Sequence, residues 1–192
     1  MTPLILASSS PYRRELLARL QIPFIWEAPD IDETPVKGEH PEETCLRLSL
    51  EKARAIGRLH HQGLVIGSDQ VAEREGQAIS KPVNHEAAVE QLTWASGRAL
   101  KFHTGLCVLD AATGHHESIR VTVTAHYRVL SGAQIERYLR NDQPYDCAGS
   151  GRIETLGITL VEKVISEDPT ALIGLPLIAL TTLLAHFGIV LP

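Results

Sequence analysis

Cysteine is scarce in this chain, and what there is has no partner spacing. Cys45, Cys107 and Cys147 are odd in number, far apart and in no CxxC pairing. That argues against a disulfide framework or a thiolate zinc site and sets the expectation of a reducing, cytoplasmic location. An excess of basic residues is also missing: 18 Lys and Arg face 23 Asp and Glu, a net charge of −5. Polymeric nucleic acid gripped through its backbone is therefore not an expected partner, although a few local cations suffice for a small phosphorylated ligand. The Gly-x-Ser-x-Gly elbow, the Walker A loop and the Rossmann glycine fingerprint are all absent, which counts against serine hydrolases, P-loop ATPases and dehydrogenases. No repeat, low-complexity tract or linker interrupts the 192 residues, so a single domain over 1–192 is expected. No signal-like segment opens the sequence. The one long apolar run, "ALIGLPLIALTTLLAHFGIVL", is broken by Gly174, Pro176, two threonines and His186. It reads as a buried helix and a final strand, not a membrane span.

What is present is an apolar fraction of 44%, enough for a sizeable core. "LILA" (4–7) has the run of a buried strand, and Ser10 followed by Pro11 has the look of a helix cap and first turn, with Leu16, Leu17 and Leu20 on one face. "PFIWEA" (23–28) reads as a second strand. The polar "DIDETPVKGEHP" leads into a helix over about 41–60, whose spacing points Leu46, Leu50, Ala53 and Ile56 inward and leaves Glu51 and Lys52 at the edge. "LVIGSD" (64–69) predicts a central strand ending near Asp69, followed by a β-excursion turning at Gly76. Residues 85–94 predict a helix. "KFHTGLCVLD" and "SIRVTVTAHYRVL" predict a long hairpin, 132–141 a helix opened by Ser131, "GITLVEKVI" a strand, and Pro176 the start of a closing helix. Together these predict an α/β fold with a mixed central sheet flanked by helices, divided into two lobes around a cleft.

The first candidate for chemistry is "LASSSPYRR" (6–14). A strand, a serine-rich turn and a helix start leave backbone N–H groups free for an anion. Ser8 and Ser10 add hydroxyls there, and Arg13 can fork onto phosphate oxygens. The same stretch equally fits a capped helix with arginines in solvent. Asp69 could activate water or hold a hard metal through oxygen, or could simply close a turn. Asp30, Asp32 and Glu33 suit a divalent cation, or only a solvated acidic loop. Lys52 and Lys81 add positive charge. Cations, hard-metal ligands and an anion-ready helix start are the components of phosphoryl chemistry. His60–His61 and His115–His116 are adjacent pairs and not i, i+4 metal ligands.

Seven stretches, "LASSSPYRRELL", "DETP", "LSLEKA", "IGSDQV", "SKP", "CAGSGRIE" and "DPTALIGLPL", stand in the order and approximate spacing of the Maf family, which this chain resembles from Leu6 to Leu177. The resemblance implies an architecture similar to the inosine triphosphate pyrophosphatases. It also implies metal-dependent hydrolysis of a nucleotide between its α- and β-phosphates, with Mg²⁺, Mn²⁺ or Co²⁺ as cofactor, in a homodimer. By matching positions, Asp69 would accept the proton, Glu33 with Asp69 would serve the metal, and Ser8, Ser10, Arg13, Lys52 and Lys81 would hold the triphosphate. Ser80 stands where the family usually has Gly, and Arg14 matches no family-wide position. Tyr12, Gln70 and Glu154 replace the Arg, Thr and Gln typical of members acting on dTTP and UTP. In these three positions the chain resembles the branch acting on 7-methyl-GTP. The chemistry agrees: Glu154 can accept from guanine N1–H and N2–H, and a cationic methylated base over the Tyr12 ring gains about 0.5–2 kcal/mol. Otherwise Glu154 pairs with Arg152 or Lys163. A dTTP/UTP pyrophosphatase, or a nucleotide sensor acting in septation without turnover, would carry much the same residues.

Overall fold

In the computed structural model, which describes residues 3–192, Leu4–Ala7 form β1 with all four side chains buried. A run apolar on both faces is stable only in a strand paired on both edges and covered on both sides. β1 pairs in parallel with β2 (Phe24–Glu27) and with β3 (Leu64–Arg74). β3 then pairs antiparallel with β5 (Ala99–Asp110), β5 with β6 (His116–Tyr127), and β6 with β7 (Val161–Ile165). The order β2-β1-β3-β5-β6-β7, with the short β4 (Gln77–Ile79) hairpinned onto β3, makes one mixed seven-stranded sheet. Helices α1 (Pro11–Ala18), α2 (Pro41–Gly57), α3 (His85–Ala95), α4 (Gly132–Asp142) and α5 (Leu177–His186) surround it. The expected mixed α/β fold is what forms.

Apolar clusters on either side of the cleft give the two lobes their substance. One gathers Leu16, Leu17, Ile66, Leu106 and Leu180 around β1 and α5. Another gathers Leu92, Phe102, Tyr127, Ile135 and Leu139 around the β5–β6 hairpin, α3 and α4.

Several boundaries differ from the sequence reading, each for an identifiable reason. β3 does not end at Asp69 but runs to Arg74. The register pairs Ala7, the last residue of β1, with Gly67. Asp69 is thus mid-strand in β3 and just beyond the carboxyl end of β1, where a parallel sheet opens a crevice.

α2 buries Ala53 and Ile56 as expected, but its inward face is shifted: Cys45, Leu48, Ser49 and Lys52 are buried with them, whereas Leu46 and Leu50 are only half-buried. Small residues win because the helix backbone lies directly on the sheet. A methyl group on Gly67 would collide with the Ser49 carbonyl, and one on Gly105 with the Cys45 carbonyl, so both glycines are required by close approach. Lys52 is carried inward with that face, not left at its edge.

Only Val161–Ile165 of "GITLVEKVI" is strand; Leu156–Leu160 forms 3₁₀ turns. Gly157 there packs against the Arg152 carbonyl with no room for a side chain. No final strand follows α5. Its residues are spent on a helix cap instead, with Gly188 left-handed at φ 84° and Ile189 N–H donating to Leu184 O at 2.9 Å. No helix among the described residues is long and apolar enough to cross a membrane.

Candidate active site

The step where β1 stops and β3 continues opens a cavity of about 700 Å³, walled by residues from every motif singled out in the sequence. Ser8, Ser10, Tyr12, Arg13, Glu33, Lys52, Asp69, Gln70, Lys81 and Glu154 all line it. They come from the start of α1, the 29–35 loop, α2, β3, the segment after β4 and the 146–154 segment. No local pattern would bring these together.

At the start of α1 the capped-helix and anion-site readings turn out to be the same geometry. Ser10 caps the helix, its Oγ accepting from Arg13 N–H at 3.4 Å, and Ser8 Oγ accepts from Ser10 N–H at 3.1 Å. Pro11 occupies the first turn without wasting an N–H. Arg13 then extends into the cavity wall, where its Nε donates to Gly174 O at 2.8 Å. Burial lowers the Arg13 pKa while the nearby Asp69 and Glu33 carboxylates act to raise it. Gly174 is left-handed at φ 114°, a conformation that turns its carbonyl toward the arginine at little cost only for glycine.

Two carboxylates converge on one ammonium. Lys52 Nζ lies 2.6 Å from Asp69 Oδ1 and 2.8 Å from Glu33 Oε1. Lys52 and Asp69 are buried, and Glu33 comes in from the exposed loop. Burial alone would raise the Glu33 pKa, but Lys52, with Lys81 and Arg13, holds it below the ordinary carboxylate value. Arg13, Lys52 and Lys81 line the cavity together with Glu33, Asp69, Asp146 and Glu154. Carboxylates thus outnumber cations four to three, so the protein's charges alone do not neutralise a polyphosphate.

Asp69 and Glu33 already direct oxygens at one positive centre, the donor set a hard divalent cation takes when it keeps its remaining positions for water and phosphate. Among the described residues no group of three or more His, Cys, Asp or Glu forms a self-sufficient metal cage. Asp69 and Glu33 therefore fit a divalent cation only as two oxygen donors among its ligands. Of the other acidic loop residues, Asp32 closes a turn on Thr34 N–H at 2.9 Å, and neither it nor Asp30 reaches the cavity.

The far end of the cavity is walled by Tyr12, Asp146, Cys147, Gly151 and Glu154. Arg152, one of the alternative partners for Glu154, is paired with Asp146 at 2.9 Å and lies over the Tyr12 ring at 5.6 Å. Glu154 makes no ion pair among the described residues; desolvation at the cavity wall, with Asp142 and Asp146 nearby, pushes its pKa up. Gln70 spends its amide nitrogen on the carbonyls of Ala171 (2.8 Å) and Leu172 (3.0 Å) and on Thr104 Oγ1 (3.1 Å). This leaves Gln70 Oε1 as the acceptor.

None of the histidines lines the cavity. Arg14 leaves the site and stacks on Trp26 at 4.1 Å. Ser80 lines the wall with φ outside the left-handed region, so a side chain there is unstrained.

Sequence reasoning counted "DPTALIGLPL" (168–177) among the family stretches but missed that this loop holds Arg13 and Gln70 through its carbonyls. It also missed Arg152 as the neighbour of Tyr12.

The Maf family profile, described as "Maf-like protein", matches residues 3–187. A 7-methyl-GTP pyrophosphatase of Cupriavidus metallidurans is 57% identical over 185 residues, 96% of this chain and 93% of that one. Proteins of the same name from Ralstonia nicotianae and Methylobacillus flagellatus are 54% identical (96% of this chain, 95% of theirs) and 52% identical (98% of both). Among solved structures, a Staphylococcus aureus Ham1 protein matches 65% of this chain and 71% of its own at 17% identity, with a TM-score of 0.46. With its motifs gathered in one cavity and nearly its whole length matched by the family profile and these relatives, the chain belongs to the Maf family.

Proposed function

We propose that this protein hydrolyses 7-methyl-GTP to the nucleoside monophosphate and pyrophosphate. The observation that carries the reading is the polarity of this cavity. Arg13, Lys52, Lys81 and the start of α1 stand where a phosphate chain would lie, and Tyr12 and the unpaired Glu154 stand where a base would. A methylated guanine is a cation joined to a polyanion, and the two ends of the cavity match that distribution. Glu154 accepts from the guanine N1–H and N2–H edge. Tyr12 offers a ring face to the cationic base. The names borne by relatives at 52–57% identity support the same substrate.

In the proposed chemistry Asp69 takes the proton of the attacking water, fixed for this by Lys52 on its other side. Arg13, Lys52 and Lys81 neutralise charge on the phosphate oxygens, with Ser8 and Ser10 and the helix start as hydrogen-bonding cradle. Glu33 and Asp69 would hold a divalent cation, which when bound supplies the missing positive charge and polarises a phosphate oxygen. Three unpaired cysteines support a reducing, cytoplasmic location, and the family resemblance supports a homodimer.

The test is pyrophosphate release from a nucleotide panel with Mg²⁺, Mn²⁺ or Co²⁺, for wild type and Asp69→Asn. The expected result is metal-dependent release fastest from 7-methyl-GTP and lost in Asp69→Asn. Faster release from UTP or dTTP would overturn the substrate, and nucleotide binding without release would indicate a sensor.

A further inference from the structure

Ser68 stands next to Asp69 on β3, is completely buried and plays no part in the chemistry above. Alternation along the strand sends its side chain to the opposite face from Asp69. There Ser68 Oγ lies 2.9 Å from both Gly105 O and Gly174 O, so its single proton ties the neighbouring strand and the 168–176 loop to β3. The same Gly174 carbonyl accepts from Arg13 Nε at 2.8 Å. That bond is the only one Arg13's side chain makes to protein among the described residues, which leaves both of its Nη groups unspent on the cavity side. The rest of the loop is held elsewhere. Asp168 accepts from Thr170 Oγ1 at 2.8 Å and from Ile178 N–H at 2.7 Å, and Thr104 Oγ1 donates to Ala171 O at 2.9 Å.

We infer that Ser68 is a positioning residue for Arg13: through the Gly174 carbonyl it sets where the guanidinium stands relative to Asp69. Consecutive residues of one strand thereby place the proton acceptor on one face and, through a shared carbonyl, the phosphate-binding arginine on the other. A guanidinium that must bridge phosphate oxygens in a fixed geometry loses most of its advantage when its Nε anchor drifts. The inference rests on the reading of Arg13 as a phosphate ligand.

A double-mutant cycle on the full chain tests it: wild type, Ser68→Ala, Arg13→Ala and the pair, with the affinity for inorganic tripolyphosphate measured by calorimetry in the presence of Mg²⁺. Ser68→Ala is expected to weaken tripolyphosphate about tenfold when Arg13 is present and less than about twofold when it is absent. Thr104→Val, which removes one of the two donors to a different carbonyl of the same loop, is expected to show no such coupling. Equal loss in both Arg13 backgrounds would overturn the inference, because Ser68 would then be only a packing residue. Equal coupling from Thr104→Val would overturn it too, assigning the effect to the loop as a whole. Should Ser68→Ala not fold, Ser68→Cys, similar in size but a weak donor, replaces it in the same cycle. A wild type that binds no tripolyphosphate would sink the reading of Arg13 instead, which keeps the two failures distinct.

Discussion

The loop that carries Glu33 is held by a half-buried clamp, and breaking it should cost both stability and activity. Glu39 accepts from Arg47 Nε at 2.7 Å and Arg47 Nη2 at 2.8 Å, and from Thr44 Oγ1 at 2.9 Å and Val36 N–H at 3.2 Å. Arg47 Nη2 also donates to Thr34 O at 3.3 Å, the residue after Glu33. Bidentate pairing with Arg47, opposed by some desolvation and helped by the Val36 and Thr44 donors, lowers the Glu39 pKa from 4.5 to about 2.

A carboxyl held that far down corresponds to roughly 3 kcal/mol at most, at 1.36 kcal/mol per pH unit. Solvent screening at the partly exposed arginine brings the expectation to about 1–2 kcal/mol. Because the folded pKa is depressed, the contribution is complete above the unfolded value near 4.5 and disappears as pH falls toward 2. Urea unfolding of wild type and Glu39→Gln should therefore differ by about 1–2 kcal/mol at pH 7, by roughly half of that at pH 3, and converge only near pH 2 and below. The variant should also need more metal for half-maximal activity, since the Glu33 segment is no longer tethered. A stability difference that stays constant from pH 7 to pH 3 would refute the reasoning, because ionised pairing would then not be its source.

Three other perturbations separate the site's parts. Glu154 has a raised pKa, so the preference for 7-methyl-GTP over UTP should decline as pH is lowered toward the weakly acidic range, and Glu154→Gln should flatten that profile. Gly67→Ala forces α2 off the sheet at the Ser49 carbonyl; a loss of about 3 kcal/mol in thermal or urea unfolding is expected, with activity falling further as Lys52 is drawn from Asp69. Arg14→Ala removes only the stack on Trp26, and should cost no more than about 1 kcal/mol while kcat/KM stays within about twofold of wild type.

Local signals were read correctly wherever short-range physics decides the outcome. Ser10 and Pro11 open a helix because a cap and a fixed φ need no tertiary help. Residues 75–76 turn a hairpin because both adopt positive φ. Leu4–Ala7 could be nothing but a covered strand. The ordered motifs likewise picked out the residues that line the cavity, since each motif carries its own chemistry in a few letters.

Tertiary packing decided the rest. Hydrophobic spacing in α2 favoured Leu46 and Leu50, but two strand glycines let the helix backbone touch the sheet, which buries the face of small residues and brings Lys52 to Asp69. No pattern within 41–57 contains Gly67 or Gly105. Arg152 pairs with Asp146 and the Asp142 carbonyl and not with Glu154, contacts that no local spacing distinguishes. Gly174 acquired its role from two donors, Ser68 and Arg13, which lie 106 and 161 residues away in the chain. The sequence by itself determined which functional groups are available and which short elements carry them. Only the folded sheet determined which of those groups meet, because contact between distant segments depends on backbone approach and register that no local spacing encodes.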